Sequence, residues 1–365
     1  MNFNVEISSS VDETEWNNRL LKSNAASTYQ TSNWARIYSE SFDSKPVFIR
    51  VTDGTGETVA QLVALIHKKF LWAGTNIVSQ FIGLKLNLQS LFTWNYGPII
   101  FDDSNQNEIT SKILDSVDKI ALQNNVTMIR GTPSPLANQL PTVLFHNHAY
   151  ELVPWATYIT DLRQNIDDLY NSFDKKTRYD IRKTEEQGFE FEVVNDRSSL
   201  TEFEELKYQE KKRAGKKAFR YPFFLDAHWK YLHKNGLEKL FFVRYNGEPI
   251  GAILNVIFNG NIVQHGVVNS EKKHLQGGSF LTWNILKWAI KTKHLTYNMG
   301  GVHPFPDSEK EKKIYFYKSK WGGRQFDYLQ YTKTFNKTKI KISKAMLQPK
   351  RVPKEIHKII HNIHT

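Results

Sequence analysis

The stretch KLFFVRYNGEPIGAILNVIFNGNIVQHGVV, residues 239–268, decides the fold class. Asn246-Gly247 and Asn259-Gly260 are two-residue turns whose residues tolerate a positive φ, the backbone chemistry that closes hairpins. They divide the run into three strands, Lys239–Tyr245, Pro249–Phe258 and Asn261–Val268. Helical patterns surround the cluster: Lys175–Gln187, stopped by Gly188, then Ser199–Ala214 and Pro222–Lys234 before it, and Ser279–Lys293 after it. Strands gathered together and flanked by helices predict an α+β domain, not a chain of βαβ units.

Working outward, the front of the chain repeats the order of helix, paired strands, helix, strand. Val11–Asn24 is helical in pattern. Lys45–Thr52 and Val59–Phe70 are strands joined by Asp53-Gly54-Thr55-Gly56, and an apolar stretch then leads to Tyr96-Gly97-Pro98-Ile99. Glu108–Asn124 places Ile109, Ile113, Val117 and Ala121 on one helical face, and Val126–Arg130 closes the set as a strand. A chain of 365 residues exceeds one ordinary core and fits two domains. With the irregular segment Leu136–Pro154 as junction, the expected division is 1–150, 151–335 and a tail at 336–365.

Composition excludes several classes. Hydrophobic residues form 40% of the chain, enough to build real cores. There is no cysteine, so disulfides, thiolate metal sites and a Cys nucleophile are excluded together. The first twenty residues show no signal-peptide pattern, and the longest apolar stretch, Asn76–Phe92, is broken by Gln80, Lys85 and Gln89. A cytoplasmic chain is expected. Of the net charge of +12, the last thirty residues carry +7 (eight Lys/Arg against Glu355). Such a tail suits a polyanion, whether tRNA, an anionic lipid surface or a phosphorylated carrier, or is merely a solvated extension. Ile356, Ile359, Ile360 and Ile363 share one helical face there, as an interfacial helix requires.

Nucleotide loops of the Gly-x-x-x-x-Gly-Lys-Ser/Thr and Gly-x-Gly-x-x-Gly kinds are missing, as are His-Glu-x-x-His and the Gly-x-Ser-x-Gly elbow. No metal site is expected. Three runs could carry chemistry. Gly300-Gly301-Val302-His303 and Phe316-Tyr317-Lys318-Ser319-Lys320-Trp321-Gly322-Gly323 set a lysine among aromatics and paired glycines. Such a fixed cation could stabilise an oxyanion, or Lys318 could simply snorkel beside a tight turn. Arg178 and Arg182, four apart, form a fork for phosphate or carboxylate, or a solvated basic face. Gly277-Gly278, opening a helix, could hold a pyrophosphate on backbone N–H groups.

Taken together these residues resemble the FemABX group of peptidoglycan bridge aminoacyltransferases and related GNAT-like acyltransferases. The resemblance is carried by Tyr29-Gln30-Thr31-Ser32-Asn33-Trp34, by Tyr96-Gly97-Pro98-Ile99, and by Arg178-Tyr179-Asp180-Ile181-Arg182-Lys183 with Gly188. It is carried also by Tyr297-Asn298-Met299-Gly300-Gly301 with Phe316-Tyr317-Lys318-Ser319-Lys320-Trp321-Gly322-Gly323, runs from about Tyr29 to Tyr331 and is strongest after Thr157. It implies two tandem GNAT-like domains with mixed central sheets flanked by helices. It further implies transfer of an aminoacyl or acyl group to an amine of a cell-envelope precursor. Lys318 would stabilise the tetrahedral intermediate, and the helix of Arg178 and Arg182 would line the cleft, with acceptor contacts near Trp34. Asn298 departs from the family's usual aspartate, and no long helical hairpin is present to serve as a tRNA arm.

The expected catalytic residues are therefore Lys318 and, as base, His303. The expected substrate contacts are Trp34, Arg178, Arg182, His265, Asn298, Gly300, Gly301 and Tyr317; Gly277 and Gly278 would take a cofactor-like donor. No tightly bound cofactor is expected; aminoacyl-tRNA or acyl-CoA would be the co-substrate. The acceptor would be a nucleotide- or lipid-linked amine, with tRNA a further partner and the basic tail a peripheral membrane contact. The alternative is an acyl-CoA-dependent N-acyltransferase acting on an amino sugar or small amine.

Overall fold

The computed structural model describes residues 2–72, 75–216, 218, 220–270 and 277–347. The chain runs β1 (Asn4–Ser8), α1 (Glu13–Leu20), α2 (Ser32–Phe42), β2 (Lys45–Thr52), β3 (Thr58–His67), α3 (Lys69–Trp72), α4 (Ile77–Lys85), β4 (Leu91–Asn95), β5 (Ile99–Ile100), α5 (Gln106–Gln123), β6 (Met128–Thr132) and α6 (Thr142–Asn147). It continues through β7 (Glu151–Asp161), α7 (Ile166–Ser172), α8 (Lys175–Glu185), β8 (Phe189–Val193), α9 (Ser198–Arg213), α10 (Pro222–Tyr231), β9 (Glu238–Tyr245), β10 (Glu248–Phe258), β11 (Asn261–Asn269), α11 (Gly277–Lys291), β12 (Thr296–Val302), α12 (Glu309–Ser319), β13 (Arg324–Thr334) and α13 (Lys337–Leu347).

Two compact units emerge. The first holds Met1–Ser23, Tyr29–Val153 and the chain from Leu329 onward; the second holds Asn24–Thr28 and Pro154–Tyr328. The units change near 150, between Val153 and Pro154, and again between Tyr328 and Leu329, with Asn24–Thr28 added to the second. The end of β13 and α13 belong to the first unit, because Tyr331–Thr334 pair antiparallel with Met128–Gly131 of β6. The helix α13 occupies 337–347, inside the expected tail; the isoleucine face at 356–363 lies outside the described residues.

In the first unit the strand order is β1-β2-β3-β4-β6-β13, with β5 added to β3. All pairs are antiparallel except β4–β6. Its core packs Ile49, Val51, Leu62, Ala64 and Phe92 against Ile109, Ile113, Val117 and Ala121 of α5. Gln30 is fully buried and stitches the entry to α2 onto the sheet. Its Nε2 donates to the carbonyls of Val63 and Asn95, and its Oε1 accepts from the Val63 N–H. Thr31 then caps α2 by accepting from the Trp34 N–H.

In the second unit the order is β7-β12-β11-β10-β9-β8. The two Asn-Gly turns join β9, β10 and β11 as read from the sequence, with φ of 51° and 75° at Asn246 and Gly247, and 48° and 76° at Asn259 and Gly260. Strand alternation feeds two helix layers. Phe241 and Val243 pack with Phe280, Ile285 and Leu286 of α11, while Leu240 and Phe242 pack with Leu200 and Phe203 of α9 and Leu225 of α10. The architecture is α+β, with mixed sheets flanked by helices.

Candidate functional site

The second unit opens where its parallel strands part. β11 and β12 are paired only at Asn261↔Thr296, Ile262↔Tyr297 and Val263↔Asn298. Beyond Asn298, β12 keeps to β7 through a register shift before Gly301↔Thr157, while β11 keeps to β10. Asn298 holds that shift: its Oδ1 accepts from the Gly300 N–H at 2.8 Å and lies 2.6 Å from Thr157 Oγ1. Asn298 thus acts as a buried acceptor, a role that needs no carboxylate. Gly300 sits at φ +76°, and a Cβ there would lie 3.1 Å from the Gln264 carbonyl oxygen.

Lys318 reaches this gap from α12. A capping box fixes the start of that helix: Ser308 accepts from the Glu311 N–H, and Glu311 returns to the Ser308 N–H. Ten residues on, Lys318 Nζ donates to the carbonyls of Gly300 at 2.9 Å and Gly301 at 3.1 Å. An ammonium has three N–H groups, so these two bonds leave one for a ligand. Burial pushes Lys318 down to about 8.

Lys318 is on the wall of a cavity of about 680 Å³. Ala252, Ile253, Val267, Val268, Leu281 and Ile314 make its apolar surface; Gln264, Asn269, Tyr317, Lys310 and Lys313 supply the polar groups. Gly278, in the first turn of α11, lines the same cavity. Tyr317 ties the two helices together, its hydroxyl 2.8 Å from Thr282 Oγ1 and donating to the Gly278 carbonyl at 3.2 Å. Burial pushes Tyr317 up to about 12, so it remains a neutral donor. Gly277 packs its bare Cα toward Ile250, which a Cβ would approach to 2.8 Å. The arrangement offers an apolar pocket with cations at its wall and a single ammonium fixed on backbone carbonyls. It can receive a mostly apolar acyl donor with an anionic portion.

A second cavity, about 230 Å³, is lined from β11 by His265, Gly266, Val267 and Val268, and from α9 and α10 by residues including Glu204, Lys207, Lys211 and His228. His228 Nδ1 is 2.6 Å from Glu238 Oε2, and both side chains are buried. The His265 ring stacks over His228 at 6.3 Å. The crowded wall of this cavity, then the nearby His228 and Lys207, push His265 below the ordinary imidazole range, although its ring reaches solvent.

The expected site residues therefore divide. Lys318, Tyr317 and Gly278 line the larger cavity; Gly300 and Gly301 hold Lys318 by their carbonyls and Asn298 holds Gly300, while Gly277 packs on Ile250. His265 is not with them: period-two alternation sends Gln264 to that cavity and His265 to the smaller one. His303 lines neither; its Nδ1 accepts from the Phe305 N–H at 3.2 Å and its ring stands edge-on to Trp155. Arg178 is committed to the end of α7, donating to the carbonyls of Asn171 at 2.9 Å and Phe173 at 2.5 Å. Arg182 is exposed on α8, and neither arginine lines either of the two cavities described. The arginine fork is therefore a helix-end clamp in one half and a solvated charge in the other. Trp34 is 3% exposed and packs edge-on against Tyr29 in the first unit's interior. The sequence reading missed the His228–Glu238 pair, whose members sit on a helix and a strand with no motif between them. It also missed Lys310 and Lys313; their spacing from Lys318 on one charged helix was the available signal.

Residues 171–318 match the family model described as an acetyltransferase (GNAT) domain. A search of the curated proteins gives no match. Among solved structures the chain is similar to FemX, with a TM-score of 0.68 and 17% identity over 91% of this chain and 98% of that one. It is also similar to a tandem GNAT protein from the clavulanic acid biosynthesis pathway, at 0.56 and 10% identity over 92% of this chain and 100% of that one. A third is the C-terminal domain of a protein assigned as a lysylphosphatidylglycerol synthetase from Agrobacterium fabrum, at 0.51 and 11% over 93% and 96%. These likenesses show the fold, two tandem GNAT-like domains, and the family-model match lies within the second unit.

Proposed function

We propose that the chain transfers an acyl or aminoacyl group to an amine of a cell-envelope precursor, a nucleotide- or lipid-linked acceptor, with chemistry at the larger cavity of the second unit. One observation carries this reading: a lysine ammonium is pinned by the Gly300 and Gly301 carbonyls where β11 and β12 part, at the wall of a pocket large enough for a donor. When nitrogen attacks a carbonyl, negative charge collects on the oxygen. A donor already in place costs no reorganisation as that charge appears. The remaining Lys318 N–H is that donor. The FemX likeness supports the aminoacyl form of the reaction, and the lysylphosphatidylglycerol synthetase likeness supports a lipid-linked acceptor; both are likenesses of fold.

The second reading takes acyl-CoA as donor and an amino sugar or small amine as acceptor. It is favoured by Gly278, which lies in the first turn of α11 and lines the cavity that Lys318 also lines. The acetyltransferase (GNAT) family match over 171–318 supports it too.

Incubating the purified chain with acetyl-CoA, or with charged tRNA, in the presence of amine acceptors separates the two. Consumption of charged tRNA alone supports the first reading, and consumption of acetyl-CoA alone the second. Binding of neither donor, with the larger cavity unperturbed by either, would defeat both.

A further inference from the structure

α4 in the first unit is built inside out for a surface helix. Asn76 caps it, accepting from the Ser79 N–H at 2.7 Å. Its inward residue is Gly83: a Cβ there would fall 2.3 Å from the ring of Trp72, itself 1% exposed. The helix rests on that indole by the one position with no side chain, and its bulk faces outward. Ile77 is 84% exposed, Val78 64% and Phe81 63%. At a helical turn of about 100° per residue, these three and Lys85 fall within one arc of about 100°. Lys85 reaches over the Phe81 ring at 5.3 Å. Single exposed apolar residues are ordinary, whereas a contiguous arc is an interaction surface.

Along its own stretch of chain and on α13 the charge has one sign; the nearest acid shown, Asp43, is paired with Lys69 of α3. Between Glu57 and Asp102 the sequence has no acidic residue. α13 packs against α4 and has no acid either. It buries Ile340 and Ser343 and exposes Lys337, Lys341 and Lys344, which share one stripe at helical spacing. Neither of the two cavities described is lined by residues of α4, whereas a protein partner's central side chain is anchored in a pocket. A bilayer needs no pocket; it accepts Ile, Val and Phe below the headgroups and lysines among anionic phosphates.

We propose that α4, flanked by α13, docks the protein on an anionic phospholipid surface. The proposal does not depend on which donor the second unit uses. The full chain is mixed with vesicles of phosphatidylcholine alone, or of phosphatidylcholine with phosphatidylglycerol, and sedimented. It should partition onto the anionic vesicles only, and less so as salt rises. Ile77→Ser with Phe81→Ser should weaken that partition by about tenfold or more. Lys337→Gln, Lys341→Gln and Lys344→Gln together should weaken it by up to about fivefold per charge. Both variants should keep the native circular dichroism and thermal midpoint, since every altered side chain is exposed. Partition of the Ile77/Phe81 variant equal to the native chain's would overturn the proposal, because binding would then lie in another basic segment. Equal binding to neutral vesicles would also overturn it. So would a native dimer, in the absence of lipid, that the Ile77/Phe81 variant dissolves.

Discussion

Each unit contains a parallel strand pair, β4–β6 in the first and β11–β12 in the second, and the two pairs end differently. In the first, β4 and β6 stay in register for five consecutive partners, Leu91↔Met128 through Asn95↔Thr132. Trp94 lies flat over Gly131, where a Cβ would come within 2.0 Å of its ring. In the second, β11 and β12 separate after three partners, and the gap receives Lys318. The same local motif is thus zipped by an indole in one place and held open by an asparagine, a left-handed glycine and an ammonium in the other. In the second pair the Gly300 and Gly301 carbonyls take a side-chain donor, Lys318.

The contrast can be broken at its most sensitive point. Lys318→Met should lower turnover on the order of 10²-fold, the scale of one lost oxyanion donor, with the thermal midpoint little changed; near-native turnover would remove the assigned role. The same residue sets a pH signature. Below about 8 the ammonium is charged and the site is competent; as pH rises through about 8 it loses its proton. kcat/KM should therefore fall on the alkaline side of about 8, and the Met variant should lack that limb. A rate that instead rises through this pH would make Lys318 the base.

A paired substitution tests the contrast next. Gly300→Val forces a β-branched residue to φ +76° beside the Gln264 carbonyl, and should cost about 1–2 kcal/mol of stability together with a tenfold or larger loss of turnover. Gly131→Ala in the zipped pair should cost about 1–3 kcal/mol through overpacking and leave KM and kcat unchanged once the protein is folded. Denaturant titrations and steady-state kinetics on both variants decide this. A catalytic defect in Gly131→Ala would erase the distinction between the two pairs. The smallest effect belongs to Asn298→Asp. A carboxylate oxygen can accept the Gly300 N–H as the amide oxygen does, so turnover should change by less than about threefold, and a larger loss would show that the amide N–H₂ is needed as well.

What the sequence made legible follows from how local each signal is. The Asn-Gly turns announce themselves because few other residues take a positive φ twice in succession. Glycine pairs and a lysine in fixed order likewise survive translation into space. Arg178 did not, since helical spacing says which side chains share a face but not that a neighbouring helix end will claim one of them. His265 failed by one position in a period of two. α4 was passed over as an apolar stretch between strands, because helix recognition expects the apolar face to be the buried one, and here Gly83 is the residue turned inward.

The path of β13 has a kinetic consequence. Its last residues complete the first unit's sheet beside β6, yet they are synthesised only after the whole of the second unit. While the ribosome makes the intervening chain, at roughly 5–20 residues per second, the backbone groups along one side of β6 have no strand to bond and are open to mispairing. The sheet of the first unit is therefore completed only after the second unit has been made.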